Sequence, residues 1–302
     1  MNDRLEILYQ DQWIAVVFKP AGMLSVPYSG SKGKTAQSVL EEILRKQGKA
    51  NGKHKPFAVH RLDRDTSGVM MFALTEQART KIMDSWHKMV SERLYRAVAE
   101  NPLNKKMILP DSGLIDDPLA MNAYNVGYVP KGDRDSKGNL IQTVSARTHY
   151  SVVKRGETHT LFELSLDTGK KNQIRAHLAG RGYPLSGDLE HRGHENPFGR
   201  LCLHARSLKF KHPFTGEELG FEVEEPEEWS RYVERGDFKL LKEKKGASHG
   251  AGGAGAGKNR GRNNGGSSRK DDDFGRLSQN DRNLTRKQTA HMNFIEKGQK
   301  HR

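Results

Sequence analysis

The chain has one cysteine, Cys202, in 302 residues. That excludes a disulfide framework and any cysteine-rich metal knuckle, and it suits a reducing compartment. Apolar residues are also scarce, at 34% against 29% charged, so part of the chain is expected to stay outside a packed core. No run of about 18 apolar residues occurs, and the opening MNDRLEILYQDQW lacks an apolar signal core. A soluble, cytoplasmic protein is expected. No internal repeat is present.

What the chain has in excess is positive charge, a formal net of +14 with a pI near 9.7. Such an excess points to a polyanion, most often nucleic acid. Its distribution is uneven. Residues 242–302 carry 15 Lys and Arg against 6 Asp and Glu, a net of +9; residues 1–241 carry 36 against 31, a net of +5. The segment from Lys242 holds 9 glycines between 246 and 266 and almost nothing to bury. It is expected to be a flexible basic tail, either solubilising or a nonspecific grip on RNA. Within it, 276–297 could form a short helix on a partner.

Residues 1–241 alternate strand and helix signals. WIAVVF (13–18) and VMMFAL (69–74) are short apolar runs that predict buried strands. TAQSVLEEILRKQG (35–48) predicts a helix with Val39, Ile43 and Leu44 on one face. Thr75 predicts the N-cap of another, carrying Ala78, Ile82, Trp86 and Met89. LYRAVAE (94–100), HYSVVKR (149–155), TLFELSL (160–166) and LKFKHPF (208–214) read as strands, and NQIRAHLAGRG (172–182) as a helix. Residues 101–145 read as a long loop or insertion. The expected fold is α/β (α+β), one large, mixed, mainly antiparallel sheet flanked by helices.

Several short motifs fail. HRLD lacks the kinase H-R-D order, and Asp273-Phe274-Gly275 lies in the tail. Gly33-Lys34-Thr35 ends like a P-loop, but Tyr28 stands where its first glycine belongs; Gly252 to Lys258 has the spacing, but Asn259 replaces the hydroxyl residue. His191 and His194 have no cysteine cluster or HExxH beside them, so no metal site is expected. Cys202 between two leucines reads as a small buried residue rather than a nucleophile.

HRLDRDTSG (60–68) resists a bland account. It crowds charge before a buried strand, which for an arbitrary protein would be a solvated turn. Two companions change that: Glu92-Arg93-Leu94-Tyr95-Arg96-Ala97-Val98, and LDTGKKNQIRAHLAGRGYPLSGD (166–188). In order and spacing the three resemble the motifs of the RluA family of RNA pseudouridine synthases. YQDQWIAVVFKPAGMLSVP (9–27) and LCLHARSLKFKHPFTGEE (201–218) extend the resemblance over about residues 5–229.

The resemblance implies a pseudouridine synthase catalytic domain over 1–241 and a reaction that needs no cofactor. Uridine in RNA is isomerised: the N1–C1′ bond breaks, the uracil turns, and C5 bonds to C1′. By position, Asp63 is the catalytic carboxylate, as nucleophile at C1′ or base at C2′. Burial alone would neutralise a carboxyl, so a fixed cation is required; Arg175 fills that place, able to hold a carboxylate with two bonds. Tyr95 matches the tyrosine that stacks on uracil and faces the C5 proton. Arg61 is expected at the flipped strand, with Lys170 and Lys171 as further RNA contacts. His60, Thr66, Ser67 and Gly68 are expected to shape the turn, and Asp65 to lie at the surface.

Departures are visible. The family's Thr-Gly-Arg-x-His-Gln-Ile-Arg is here Thr168-Gly169-Lys170-Lys171-Asn172-Gln173-Ile174-Arg175, and Leu189-Glu190-His191-Arg192-Gly193 replaces a Tyr-Gly pair. With the match starting by about residue 5, no S4-type RNA-binding domain is expected before it. The expected partner is RNA, with 23S ribosomal RNA first and transfer RNA second, and the expected state a monomer. The rival from another class is a noncatalytic RNA-binding protein on the same fold. A glycosidase would usually need a second carboxylate to activate water, and the motif segments offer no obvious one.

Overall fold

The structure, a computed structural model, describes residues 4–31 and 33–236. The expected tail, with its candidate helix 276–297, lies outside the described residues. Met1–Gly236 form one compact unit. Its strands are β1 (Glu6–Gln10), β2 (Ile14–Lys19), β3 (Phe57–Ala58), β4 (Ser67–Ala73), β5 (Val90–Glu100), β6 (Ser112–Ile115), β7 (Ala120–Met121), β8 (Gly127–Tyr128), β9 (Thr148–Arg155), β10 (His159–Leu166), β11 (Leu203–Lys211) and β12 (Glu218–Glu222). Its helices are α1 (Ala36–Lys46), α2 (Glu76–Met89), α3 (Gln173–Gly180) and α4 (Glu227–Arg235).

Ten strands form one sheet in the order β1-β2-β4-β11-β5-β10-β9-β6, with β12 on β11 and β3 on β4; β7 and β8 pair apart. Only the β4–β11 pair is parallel, so the sheet is mixed and mainly antiparallel. Every residue of β2 and β4 is buried, which is why both read as unbroken apolar runs. Alternation still sorts their side chains. Ala15, Val17, Met70 and Phe72 face α1, while Ile14, Val16, Val69 and Met71 face α2.

Thr35 caps α1 in a reciprocal capping box with Ser38, and Thr75 caps α2 by accepting from Ala78 N. The fully buried stripe of α1 is Ala36, Leu40 and Leu44, with Val39 and Ile43 only at its flank. The i, i+4 row points at the sheet, so of the three residues expected on that face Leu44 is central and Val39 and Ile43 pack beside it. α2 runs straight into β5 at Val90, so that strand starts four residues before the alternation in LYRAVAE. Residues 101–145 are mostly loop, as expected, but β6 within them pairs with β9 at the sheet edge. β12 and α4 were not anticipated. α4 buries Trp229 and Val233 against Val98, Leu161 and Cys202. Cys202 is buried, and burial pushes its thiol up to about 12.

One glycine decides how the sheet closes. Gly68 has φ +124°, and a Cβ there would lie 2.1 Å from Ala205 O on the parallel partner β11. Only glycine allows β4 and β11 to meet at that point.

Candidate active site

The HRLDRDTSG loop enters β4 under tight constraint. Ser25 Oγ donates to Leu62 O at 2.6 Å and accepts from Leu62 N at 3.1 Å. Lys19, fully buried, donates to Pro20 O, Met23 O and Arg64 O at 2.9, 2.7 and 3.0 Å. Burial lowers its ammonium to about 7, against the raising effects of Asp65 and Asp63. The KPAG turn thus holds the loop from beneath. Thr66 N donates to Asp63 O at 3.2 Å and closes the turn. His60 accepts from Met71 N at 3.0 Å. Asp65 pairs with Arg64 at 3.0 Å on the surface side.

Behind the loop, His204 Nε2 donates to Val223 O at 2.8 Å, so its Nδ1 is free to accept from Ser67 Oγ at 2.7 Å. Arg200 Nη2 donates to the same Oγ at 2.7 Å. Burial lowers His204 to about 4, against the raising effect of the Val223 carbonyl. A histidine held neutral in the fold is protonated first in the unfolded chain. Stability from His204 is therefore complete above pH ~6.5 and falls as pH drops towards ~4, by up to about 3 kcal/mol. Denaturant unfolding at pH 7 and at pH 4.5 is expected to show this loss, and His204→Gln to reduce it.

The second half of the site comes from the segment before α3. Gln173 pins it: Oε1 accepts from Thr168 Oγ1 at 2.8 Å and Lys170 N at 2.9 Å, while Nε2 donates to Arg147 O at 2.9 Å. Asn172 takes the left-handed conformation at φ +55°, which asparagine tolerates better than most residues. Its Nδ2 donates to Asp63 Oδ2 at 2.8 Å, and its Oδ1 accepts from Gly127 N at 3.2 Å. The asparagine that departs from the family motif therefore touches the Asp63 carboxylate directly.

Arg175 reaches the same oxygen, Nη1 to Asp63 Oδ2, at 3.1 Å. This corrects the expected two-bond pair between them. The two-bond partner of Arg175 is Asp188: Nε and Nη2 donate to its two oxygens, each at 2.7 Å. Nη2 also donates to Glu190 Oε2 at 2.6 Å. The Asp188 side chain is wholly buried. Burial alone would raise its carboxyl; the bonds and charge of Arg175 and His191 outweigh that and hold it below the usual carboxylate range. Asp188, Glu190 and His191 converge within 4.8 Å of one another; the two carboxylates pair with the Arg175 guanidinium, while His191 bonds Asp188 and Gly127 O.

Tyr95 lies on β5, opposite Leu164 of β10 and Ala205 of β11. Half-buried, it packs against both the α1-side core and the core around Phe162 and Tyr183. Burial raises its phenol, Arg93 opposes this, and Asp63 adds to it, so Tyr95 is within electrostatic reach of the carboxylate. Arg61 and Lys170 are exposed. Lys171 is half-buried and donates to Asn125 O at 2.5 Å, near enough to feel Asp63, Glu190 and Arg61.

The structure thus brings together residues from four parts of the chain. Asp188 and Glu190 were missed in the sequence. Asp188 follows Arg175 by 13 positions with no periodicity linking them. Glu190, just outside the motif segments, supplies a further carboxylate because the short 3-10 turn Leu189–His191 brings it back onto Arg175. The Gly187-Asp188 turn was the available signal: Gly187 has φ +78°, and a Cβ there would lie 2.1 Å from Arg200 O.

This arrangement suits chemistry at one carboxylate fixed by two donors beside an aromatic ring. A family model described as RNA pseudouridylate synthase matches residues 14–180. The chain is 34% identical over 231 residues to a Bacillus subtilis (strain 168) protein named uncharacterized RNA pseudouridine synthase YlyB, covering 76% of this chain and 72% of that one. It is 32% identical over 243 residues to ribosomal large subunit pseudouridine synthase D of Vibrio cholerae serotype O1, covering 74% and 68%. Among solved structures, human RNA pseudouridylate synthase domain containing 4 superposes with a TM-score of 0.58 at 22% identity, over 74% of this chain and 90% of that one, which bears on fold alone. Since the matched span includes the loop of Asp63, the strand of Tyr95 and the helix of Arg175, the chain belongs to the RNA pseudouridylate synthase family.

Proposed function

We propose that this enzyme converts uridine to pseudouridine in large-subunit ribosomal RNA, with Asp63 as the reacting carboxylate. The observation that carries the assignment is the pair of bonds from Asn172 and Arg175 onto one oxygen, Asp63 Oδ2. They leave Oδ1 for the sugar.

The target uridine leaves its stack and enters beside Asp63. Asp63 attacks C1′ or removes the C2′ proton; either step releases uracil at N1. The uracil turns against the Tyr95 ring, C5 bonds to C1′, the C5 proton leaves past the Tyr95 hydroxyl, and N1 gains a proton. No atoms are gained or lost, and Asp63 returns to its starting state. Arg61, Lys170 and Lys171 serve as RNA contacts: Arg61 and Lys170 reach solvent, and Lys171 adds charge behind the carboxylate. No helix among the described residues is long and apolar enough to cross a membrane, and we place the enzyme in the cytoplasm with its ribosomal RNA substrate.

The ribosomal target rests on what the similar proteins are named for. Mapping pseudouridines in total RNA with and without the gene is expected to show one or a few sites lost from large-subunit RNA. Loss confined to transfer RNA would replace the proposed substrate, and no loss in any RNA would remove the activity.

A further inference from the structure

Two residues before Tyr95 on β5 stands Arg93, on the same face of the sheet and roughly 7 Å away along the strand. It is half-buried. Its Nη2 donates to Leu166 O at 2.8 Å, and its Nη1 lies 3.1 Å from where a Cβ on Gly169 would stand. The guanidinium therefore rests on bare backbone at the start of the segment that leads to Asn172 and Arg175.

Arg93 lines a groove with Trp86, His87, Glu92, Leu166 and Asp167. The acids there are already committed. Glu92 accepts from Ser207 at 2.7 Å and Lys209 at 3.0 Å; Asp167 accepts from Arg147 and His149, each at 3.1 Å. Among the described residues no carboxylate pairs with Arg93, and Leu166 O uses only one of its donor nitrogens. A half-buried guanidinium has lost part of its water shell and favours an anion that accepts from two nitrogens at once. One wall of the groove also leads back to the reacting loop, because the Trp86 indole packs on the His60 ring with centroids 5.0 Å apart. The opposite wall, Leu166 and Asp167, continues through Gly169 to Asn172.

We infer that this groove is a subsite for the RNA strand beside the flipped uridine, in which Arg93 grips the backbone phosphate of an adjoining nucleotide. The inference rests on the reading that the uridine enters between Asp63 and Tyr95. Phosphate is the fitting ligand because the substrate carries one on each side of every nucleotide, and a planar guanidinium binds it with two parallel bonds. Arg93 is then a binding residue that sets the register of the strand, while the tie to Leu166 O orients it.

The test uses the full chain and a stem–loop RNA with one unpaired uridine. Its binding is titrated with salt for the wild type, Arg93→Gln and Arg93→Lys. Arg93→Gln is expected to weaken binding about tenfold near physiological salt and to flatten the log–log salt slope by roughly 0.7–0.9. Arg93→Lys is expected to keep the slope. A neutral methylphosphonate on one side of the uridine is expected to weaken the wild type by the same factor and leave Arg93→Gln unaffected. Equal slopes for wild type and Arg93→Gln, or an equal methylphosphonate penalty in both, would overturn the subsite and leave Arg93 a tie to Leu166 only. Should Arg93→Gln fail to fold by thermal melting, the wild type and Arg93→Lys decide it: no methylphosphonate penalty at either side overturns the proposal. Tritium release by the wild type from ribosomal RNA made with 5-tritiated uridine is measured in parallel. Release without an Arg93-dependent slope sinks the subsite alone; an Arg93-dependent slope without release sinks the catalytic reading.

Discussion

Asp63→Asn is expected to abolish pseudouridine formation while leaving RNA affinity within a few-fold of the wild type. The amide keeps the size of the side chain and can still accept from Asn172 and Arg175, so the loop should hold its place. What it loses is the negative charge that either attacks C1′ or takes the C2′ proton. A group that bonds to the reacting atoms has no substitute nearby. Asp188 is locked on Arg175 in the interior, and Glu190 is held on the far nitrogen of the same guanidinium. The expected loss is about a thousandfold or more in single-turnover rate at saturating RNA. Tritium release from 5-tritiated uridine RNA measures it, and filter binding checks affinity. Turnover by the variant at a rate near the wild type would end the case for Asp63, by either chemical route.

Asp188→Asn is expected to have the largest effect on stability. The carboxylate is wholly buried and takes two bonds from Arg175, which is itself nearly buried. Removing one charge of such a pair strands the other in a poorly solvated interior. That typically costs about 3–5 kcal/mol, more than the intact pair contributes over an apolar replacement. For a folded unit of this size the corresponding fall in Tm is roughly 6–20 °C. Activity is expected to fall as well below the melting range, since Arg175 loses the plane that aims Nη1 at Asp63. Glu190→Gln is the contrasting variant. Glu190 meets the same guanidinium with its side chain 55% exposed, so solvent screens the pair and the expected loss is about 1 kcal/mol or less. Calorimetry of both variants checks the contrast. Equal destabilisation would mean that Arg175 is held by the cluster as a whole rather than by Asp188.

Much of the sheet was legible because its signals are local. Unbroken apolar runs such as VMMFAL mark strands covered on both faces, and Thr35 and Thr75 announce helix starts through side-chain bonds to the next turn. Edges were less legible. β6 sits in a loop-like stretch and is a strand only because β9 lies beside it. The start of β5 at Val90 carries no apolar alternation: Ser91 falls at a register shift against β11, and Glu92 accepts from Ser207 and Lys209 of that strand.

The site divides in the same way. The segments HRLDRDTSG, ERLYRAV and TGKKNQIR could be singled out from residue type and order, and with them Asp63, Tyr95 and Arg175. Which groups touch could not. Asn172 sits 109 positions from Asp63 yet donates to its oxygen, and Lys19 supports the carbonyl of Arg64 from 45 positions away.

By itself the sequence determined the strand and helix periods, the charge excess and the chemical identities gathered at the mouth of β4, because these depend on neighbours within a few residues. Tertiary structure alone decided that Arg175 spends its two-bond face on Asp188 and gives Asp63 a single bond, that Glu190 folds back onto the same cation, and that Arg93 is left with donors to offer. Such pairings depend on distances through space, and a chain records no distance between residues until strands such as β4, β5 and β11 are laid side by side.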